Sequence, residues 1–174
     1  MRFPNTIFMK RTFELAQLPA IQSKAPMIPY YFSSANTWDY FNGQQVAPGT
    51  NAPDPYNIGP SGYLPTQPKD WSYLLNPANL QTELEAIMKT LKASFSGSSS
   101  IAEAMTTLMT TYDQYSMRSY LESLGYPSEV INLMETFDKS TGWYDRALTE
   151  SVCESLAFEG VDPTPANIQY YCFE

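Results

Sequence analysis

The sequence predicts a mainly α-helical fold, a bundle of about five to six helices with a small β-hairpin and a long Pro-rich loop. Three observations lead to this fold class. Apolar residues recur at helical spacing from residue 76 onward, and eight of the fourteen prolines lie between Pro26 and Pro68. The third observation is the Asn42-Gly43 pair, which stands between two short strand-like runs and is typical of a tight hairpin turn.

The chain opens on MRFP, and an amphipathic helix is predicted directly after it, over residues 5–17. Its apolar face would contain Met9, Phe13 and Ala16, which follow one another at helical spacing. Pro4 is expected to begin this helix, because proline fits the first helical turn.

The Pro-rich stretch cannot be helical, and IPYYFSS and TWDYFNGQQV are its strand candidates. A hairpin is predicted from Trp38 to Val46, followed by the loop APGTNAPDPYNIGPSGYLPTQP. A loop of this length is usually functional or covered by another surface. Residues 27–72, the hairpin and its loop, are expected to form a lobe separate from the helices.

Helices are predicted through residues 76–160, followed by a strand over residues 167–174. Ser98–Ser100 and Ser116 are candidate N-caps, while Gly97, Gly125 and Gly160 are candidate helix ends. The five predicted apolar stripes consist of Leu80, Leu84, Ile87, Met88, Leu91 and Phe95; Ile101, Met105, Leu108, Met109 and Tyr112; Met117, Tyr120, Leu121 and Leu124; Val130, Ile131, Met134 and Phe137; and Tyr144, Leu148, Val152 and Leu156.

Composition excludes several classes of function. A net charge of -8 argues against a nucleic-acid partner, because phosphates require clustered Lys and Arg. No apolar run approaches the roughly 20 residues of a membrane-spanning helix, so no membrane partner is expected. The chain has no histidine, which removes the usual general base and the commonest metal ligand. Two cysteines, Cys153 and Cys172, are too few for a zinc site, and they are either a disulfide or two free thiols.

Three further patterns each have a structural and a functional interpretation. Glu150 and Glu154 lie one helical turn apart and could act as acid and base, but such pairs usually form a solvated face. The Met-rich stripes could line an adaptable groove, although core packing is favoured. The tyrosines of residues 30–73 could form a recognition surface or pack beside the hairpin. No GxGxxG, P-loop or nucleophilic-serine motif occurs.

The opening MRFP, followed by an amphipathic helix, resembles a segment of the flavin-dependent L-amino-acid oxidases of the flavin amine oxidase superfamily. There the segment follows a Gly-rich turn and reads Gly-x-Met-Arg-hydrophobic-Pro. The resemblance continues through residues 112–159, YDQYSMRSYLESLGYPSEVINLMETFDKSTGWYDRALTESVCESLAFE, which are similar to the helical part of that family's substrate domain. It ends on NIQYYCFE, which in the family precedes a Gly-Gly and the return to the FAD domain. Residues 34–72 match weakly, as expected of a variable loop.

This resemblance implies that the chain is part of a larger flavoenzyme: the whole of residues 1–174 would be a substrate-side segment, with both crossings to the FAD domain just outside it. The parent would convert an L-amino acid to a 2-oxo acid with ammonia and hydrogen peroxide. FAD would be bound mainly elsewhere in the parent, and the partners would be the L-amino acid and the parent's FAD domain. A homo-oligomeric parent is compatible with this interpretation. Family members are often secreted, but the compartment stays open.

The resemblance also assigns site residues. Arg2 would bind the substrate α-carboxylate, since a guanidinium matches a carboxylate with two parallel hydrogen bonds. The backbone of Met1 and Arg2 would lie against FAD. Some relatives place a histidine in the pocket from the helix that matches residues 144–158; here Phe158, or less favourably Cys153, would form that wall. No catalytic residue is assigned to this chain, because the cofactor carries the chemistry.

Two other functions compete with the oxidase. One is a stand-alone acidic helical interaction module that uses its Tyr and Met surface without catalysis. The other is a hydrolase that relies on carboxylates such as Asp138 and Asp145. Continuation of the coding sequence into Gly-Gly, and a GxGxxG unit upstream, would favour the oxidase over the interaction module.

Overall fold

The computed structural model describes residues 2–6, 9–30, 38–47, 50, 52–59, 62–138, 142–157 and 170–173. Of Arg2, Ala157 and Tyr170, the structure describes only the backbone. The chain divides into two compact units, one formed by Met1–Thr37 with Cys153–Glu174 and the other by Trp38–Val152.

The described part of the chain is mainly helical, as the sequence predicts. Its strands are β1 (Arg2–Pro4), β2 (Met27–Pro29), β3 (Asp39–Phe41), β4 (Gln44–Val46) and β5 (Tyr170–Phe173). Its α-helices are α1 (Lys10–Ala16), α2 (Pro19–Gln22), α3 (Pro77–Leu91), α4 (Ala93–Gly97), α5 (Ile101–Tyr112), α6 (Met117–Ser123), α7 (Ser128–Phe137) and α8 (Leu148–Ala157). Two 3₁₀ turns lie at Ser72–Leu75 and Trp143–Asp145.

The first unit contains a three-stranded antiparallel sheet in the order β1-β5-β2. The helix predicted for residues 5–17 begins later, at Lys10, and Pro4 lies in a strand instead of opening the helix. Pro4 has no N–H to donate, and β1 is an edge strand, where proline is tolerated. The Pro4 carbonyl then accepts the Thr6 N–H at 3.0 Å, which turns the chain away from the sheet.

The predicted hairpin is confirmed in the second unit, where β3 pairs with β4. Asn42 and Gly43 have φ angles of 47° and 80°, the left-handed values that a type I′ turn requires at both central positions. Gly43 meets this requirement without steric cost because it has no Cβ.

The expectation that residues 27–72 form a separate lobe is wrong, because residues 38–72 belong to the same unit as α3 to α7 and residues 27–37 belong to the first unit. Tyr56 of the loop makes edge-to-face contacts with Phe41 of β3 and Phe137 of α7, at ring-centroid distances of 4.9 and 6.4 Å. Asn42 also donates a hydrogen bond to the Tyr56 carbonyl at 2.8 Å. These aromatic contacts join the hairpin to the helical core.

The core of the second unit consists largely of the predicted stripes. Its fully buried members include Leu80, Leu108, Met117, Leu121, Val130, Ile131, Met134, Tyr144, Leu148 and Val152. Ile101, Met109 and Leu124 are exceptions, exposed by 68, 50 and 51%. Met117 and Met134 therefore support the core interpretation of the methionines, while Met109 does not.

Two helix boundaries also differ from prediction. The first stripe is split, because α3 ends at Leu91 and the short α4 carries the chain on to Gly97. Tyr144 lies in a 3₁₀ turn that precedes α8 instead of sharing its helix. Gly160, the predicted helix end, lies outside the described residues; the last described residue of α8 is Ala157.

Ser116 gives a first testable prediction, because it caps α6 through a reciprocal capping box. Its Oγ accepts the Ser119 N–H at 3.1 Å, and the Ser119 Oγ accepts the Ser116 N–H at 2.9 Å. Ser116→Ala should lower the free energy of unfolding by about 1 kcal/mol, as measured by urea denaturation. The matched control is Ser128→Ala, because the Ser128 hydroxyl is exposed and reaches only its neighbour Glu129, at 3.3 Å. Equal losses in the two variants would show that the cap does not stabilise the fold.

Candidate functional site

Arg2, the predicted carboxylate-binding residue, lies in the edge strand β1, where its backbone is paired with Cys172 of β5. The assignment of its side chain to a substrate carboxylate stays a prediction. Met1 and Phe158, the other residues assigned by the resemblance, lie outside the described residues. Their roles against FAD and in the substrate pocket stay predictions as well.

The two ends of the matched region lie side by side in one sheet. β1, from the MRFP segment, pairs antiparallel with β5, from the NIQYYCFE segment, with Pro4 opposite Tyr170. Phe3 is buried and packs edge-to-face on Phe173 at 5.3 Å between ring centroids. Sequence reasoning predicted the strand at residues 167–174 but missed β1, because a strand of three residues is too short to show alternation.

A recess of about 410 Å³ lies along α1 in the same unit. Its described lining residues are Asn5, Thr6, Lys10, Phe13, Glu14 and Gln17. Phe13 is held by an edge-to-face contact with Tyr171 of β5, at 5.5 Å. Lys10 and Glu14 face each other at 3.8 Å, and both side chains are exposed. The Lys10 charge is thus largely compensated by its neighbour and screened by water, so this recess offers no strong anion site.

The segment between β1 and α1 does not match the turn of a dinucleotide-binding fold. A dinucleotide fold holds the pyrophosphate on a Gly-rich turn that leads from a strand into a helix. Here β1 leads toward α1 through residues 5–9, NTIFM, which contain no glycine. This segment therefore offers no Gly-rich turn for a pyrophosphate.

The second unit contains a cavity of about 440 Å³ that sequence reasoning missed. Its described lining residues are Phe41, Asn42, Tyr56, Asn57, Ile58, Tyr63, Asn132, Leu133 and Thr136. We call it the hairpin cavity, since the hairpin, its loop and α7 supply these residues. Asn42 and Asn57 both have positive φ, the left-handed conformation that asparagine tolerates and that shapes this loop, but at Asn57 the sequence gives no sign of it.

The carboxylates that a hydrolase would use have structural partners. Asp138 accepts a hydrogen bond from the buried Tyr144 hydroxyl at 2.6 Å, and Asp145 accepts one from Arg118 at 2.8 Å. Burial raises the pKa of Asp138, and the bond from Tyr144 acts in the opposite direction. Burial, followed by the nearby Asp138 charge, raises the pKa of Tyr144. These groups stabilise the fold rather than forming an acid–base pair.

The other candidate carboxylates and the cysteines are also accounted for. Glu150 is exposed and lies 3.4 Å from Arg146, and Glu154 is exposed on the same helix, as expected of a solvated face. Cys153 and Cys172 are partly buried and are not joined in a disulfide, so of the two interpretations left open by the sequence the disulfide is wrong. Burial raises the pKa of Cys153, whereas a reactive cysteine needs a lowered one.

The described part of the chain contains no group of three or more potential metal ligands. Among the helices described, none is both long enough and apolar enough to cross a membrane.

Comparison with known proteins gives two relatives. L-amino-acid oxidase 4 of Hebeloma cylindrosporum is 35% identical over an alignment that covers 76% of this chain and 22% of that protein. A protein of Dictyostelium discoideum named as a bifunctional amine oxidase is 29% identical, with 93% of this chain and 16% of that protein covered. The chain thus spans about a fifth of the length of these relatives. No protein-family model matches the chain.

Both relatives are named as oxidases of amines or amino acids, and the similarity extends through most of the chain. The family predicted from the MRFP segment, residues 112–159 and the NIQYYCFE segment is therefore confirmed: the chain is a relative of the flavin amine oxidases.

Proposed function

We propose that this chain forms the substrate side of an FAD-dependent L-amino-acid oxidase, which converts an L-amino acid to a 2-oxo acid with ammonia and hydrogen peroxide. The observation that carries the proposal is the similarity to a fungal L-amino-acid oxidase over 76% of the chain. The pairing of β1 with β5 supports it, because it brings together the two segments that the resemblance places at the border of the FAD domain.

Within this function the chain binds and orients the substrate. Arg2 holds the α-carboxylate through two parallel hydrogen bonds, which fixes the amino acid in one orientation. Phe158 provides an apolar wall for the substrate side chain. The backbone of Met1 and Arg2 contacts FAD, whose remaining contacts come from the parent's FAD domain.

Exposed apolar side chains in the first unit support a partner domain. Leu15 and Leu18, at the end of α1 and just after it, are exposed by 59 and 48%, and Ile21 of α2 by 37%. Contiguous exposed apolar surface usually marks an interaction site. We expect the FAD domain of the same parent to cover these side chains.

The proposal is tested by measuring hydrogen peroxide released by the FAD-loaded parent protein. The substrates are a series of neutral L-amino acids, their D-enantiomers and the corresponding decarboxylated amines. The expected result is turnover of L-amino acids, with much slower turnover of the other two sets. No turnover of any L-amino acid would favour the interaction module, and preference for the amines would make the protein an amine oxidase.

The isolated chain of 174 residues should bind no stoichiometric FAD and show no oxidase activity, because its residues lack the pyrophosphate turn. Titration with FAD, followed by quenching of flavin fluorescence, measures this. Tight one-to-one binding would contradict the assignment of FAD to other parts of the parent.

A further inference from the structure

We propose that the hairpin cavity binds a neutral, hydroxyl-rich ring ligand of the carbohydrate class. Such a site would belong to the second unit alone and would be independent of the oxidase function. Four features favour this ligand: the volume of the cavity, its hydrogen-bonding groups, its aromatic side chains and the absence of charge from its described lining.

The size and construction of the cavity fit a small ligand. Its volume of about 440 Å³ lies in the range of small-molecule sites. Two hydrogen bonds fix one wall: Asn42 donates to the Tyr56 carbonyl at 2.8 Å, and Asn57 donates to the Asn42 carbonyl at 3.0 Å. Leu133 of α7, which is buried, supplies the opposite, helical side.

The polar groups of the lining favour a ligand that donates hydrogen bonds. Asn42 and Asn57 use their NH₂ groups in the bonds just described, and among the described residues neither side-chain carbonyl accepts a hydrogen bond. The Thr136 hydroxyl donates its proton to the Asn132 carbonyl at 2.8 Å. The Thr136 Oγ1 can therefore act toward a ligand as a hydrogen-bond acceptor. Tyr63 accepts from Asn132 at 3.4 Å and keeps its proton to donate. Ligand hydroxyls, which both donate and accept, match this set.

The absence of charged side chains from the described lining favours a neutral ligand over an ionised one. The described lining residues carry no charged side chain. Arg118, which donates to the lining residue Asn132 at 2.9 Å, is already engaged with Glu135 and Asp145. An anion would therefore lack a cationic partner in the described lining. An ammonium group would in turn lack a carboxylate partner in the lining, and unpaired charge is costly to bury.

Aromatic rings supply the apolar contact that a sugar ring needs on its C–H face. Tyr63 is exposed by 42%, so its ring is accessible to a ligand. Phe41 is partly buried and held against Tyr56 at 4.9 Å. The Tyr63 side chain combines an apolar ring with a polar hydroxyl, and this combination suits a ligand that is apolar on one face and polar at its edge.

The experiment compares three probes of similar size by saturation-transfer NMR on the protein: neutral N-acetylglucosamine, cationic glucosamine and anionic glucuronate. The expected result is saturable binding of N-acetylglucosamine and at least about tenfold weaker binding of the two charged probes. Tyr63→Ala should weaken binding of the neutral probe about fivefold by removing a ring contact.

A second variant fills the cavity without depending on Tyr63. Thr136→Phe should abolish the saturable signal, whereas Thr82→Phe should leave it unchanged. Thr82 is the matched control because it too is an exposed helical threonine that donates to the carbonyl four residues earlier, at 2.8 Å. The proposal is overturned if N-acetylglucosamine does not bind saturably, if a charged probe binds as well, or if the two threonine variants behave alike.

Discussion

Replacing Arg2 with alanine in the FAD-loaded parent protein should lower kcat/KM for an L-amino acid by about 30-fold to about 5,000-fold, which corresponds to about 2–5 kcal/mol. The reason is the loss of a charge-assisted, partly desolvated pair between guanidinium and α-carboxylate. The loss should be smaller for the decarboxylated amine of the same amino acid, because that substrate has no carboxylate for Arg2 to hold. Steady-state kinetics with the two substrates, in the parent and in the variant, measure the difference.

Two controls make the result specific to Arg2. Arg2→Lys keeps the charge but loses the planar fork, so a clear defect should remain in the conservative variant. Arg11→Ala removes an exposed arginine of α1 and should leave both substrates unaffected. An equal loss for amino acid and amine would mean that Arg2 has a structural role, and the carboxylate would then be bound elsewhere.

The elements that are predictable from the sequence are those in which local chemistry determines the conformation. Asn42-Gly43 favours left-handed backbone, and the type I′ turn that it predicts is confirmed. Ser100 and Ser116 cap their helices as predicted, each accepting a backbone N–H three residues ahead. In both cases the signal lies within four residues of chain.

The elements that are not predictable depend on partners far away in the sequence. β1 exists because it pairs with β5, about 170 residues later, and nothing in MRFP itself shows that pairing. The packing of the hairpin against α7 depends on Tyr56, whose ring contacts Phe41 of β3 and Phe137 of α7. A tyrosine in a Pro-rich loop gives no local sign of burial.

The candidate site residues are likewise not marked by the local sequence. Arg2 is identified through resemblance, since an arginine near the start of a chain has no distinguishing composition or periodicity. The hairpin cavity escapes sequence reasoning because Asn57 and Thr136 are ordinary polar residues in sequence. They line one cavity only after the loop is fixed to the hairpin by hydrogen bonds.

The final prediction concerns Arg118, which links α6 to α7 and to the turn before α8. Its guanidinium donates to Glu135 at 2.6 Å, to Asp145 at 2.8 Å and to Asn132 at 2.9 Å. The hydrogen bond with Asp145 is the largest cause that raises the pKa of Arg118, so the group stays charged. One guanidinium therefore satisfies three acceptors on two elements.

Arg118→Leu should lower the free energy of unfolding by about 2–4 kcal/mol, measured by urea denaturation at neutral pH. The Glu135 side chain is only 13% exposed, so the substitution leaves a carboxylate without its cation in a poorly solvated position. Arg146→Leu is the matched control, because Arg146 and Glu150 are 54 and 58% exposed and 3.4 Å apart. Such an exposed pair contributes less than about 1 kcal/mol, since water and salt screen it. If the two variants lost the same stability, the bonds of Arg118 would contribute no more than a surface ion pair, and the packing of Met117, Ile131 and Tyr144 alone would hold α6, α7 and the turn together.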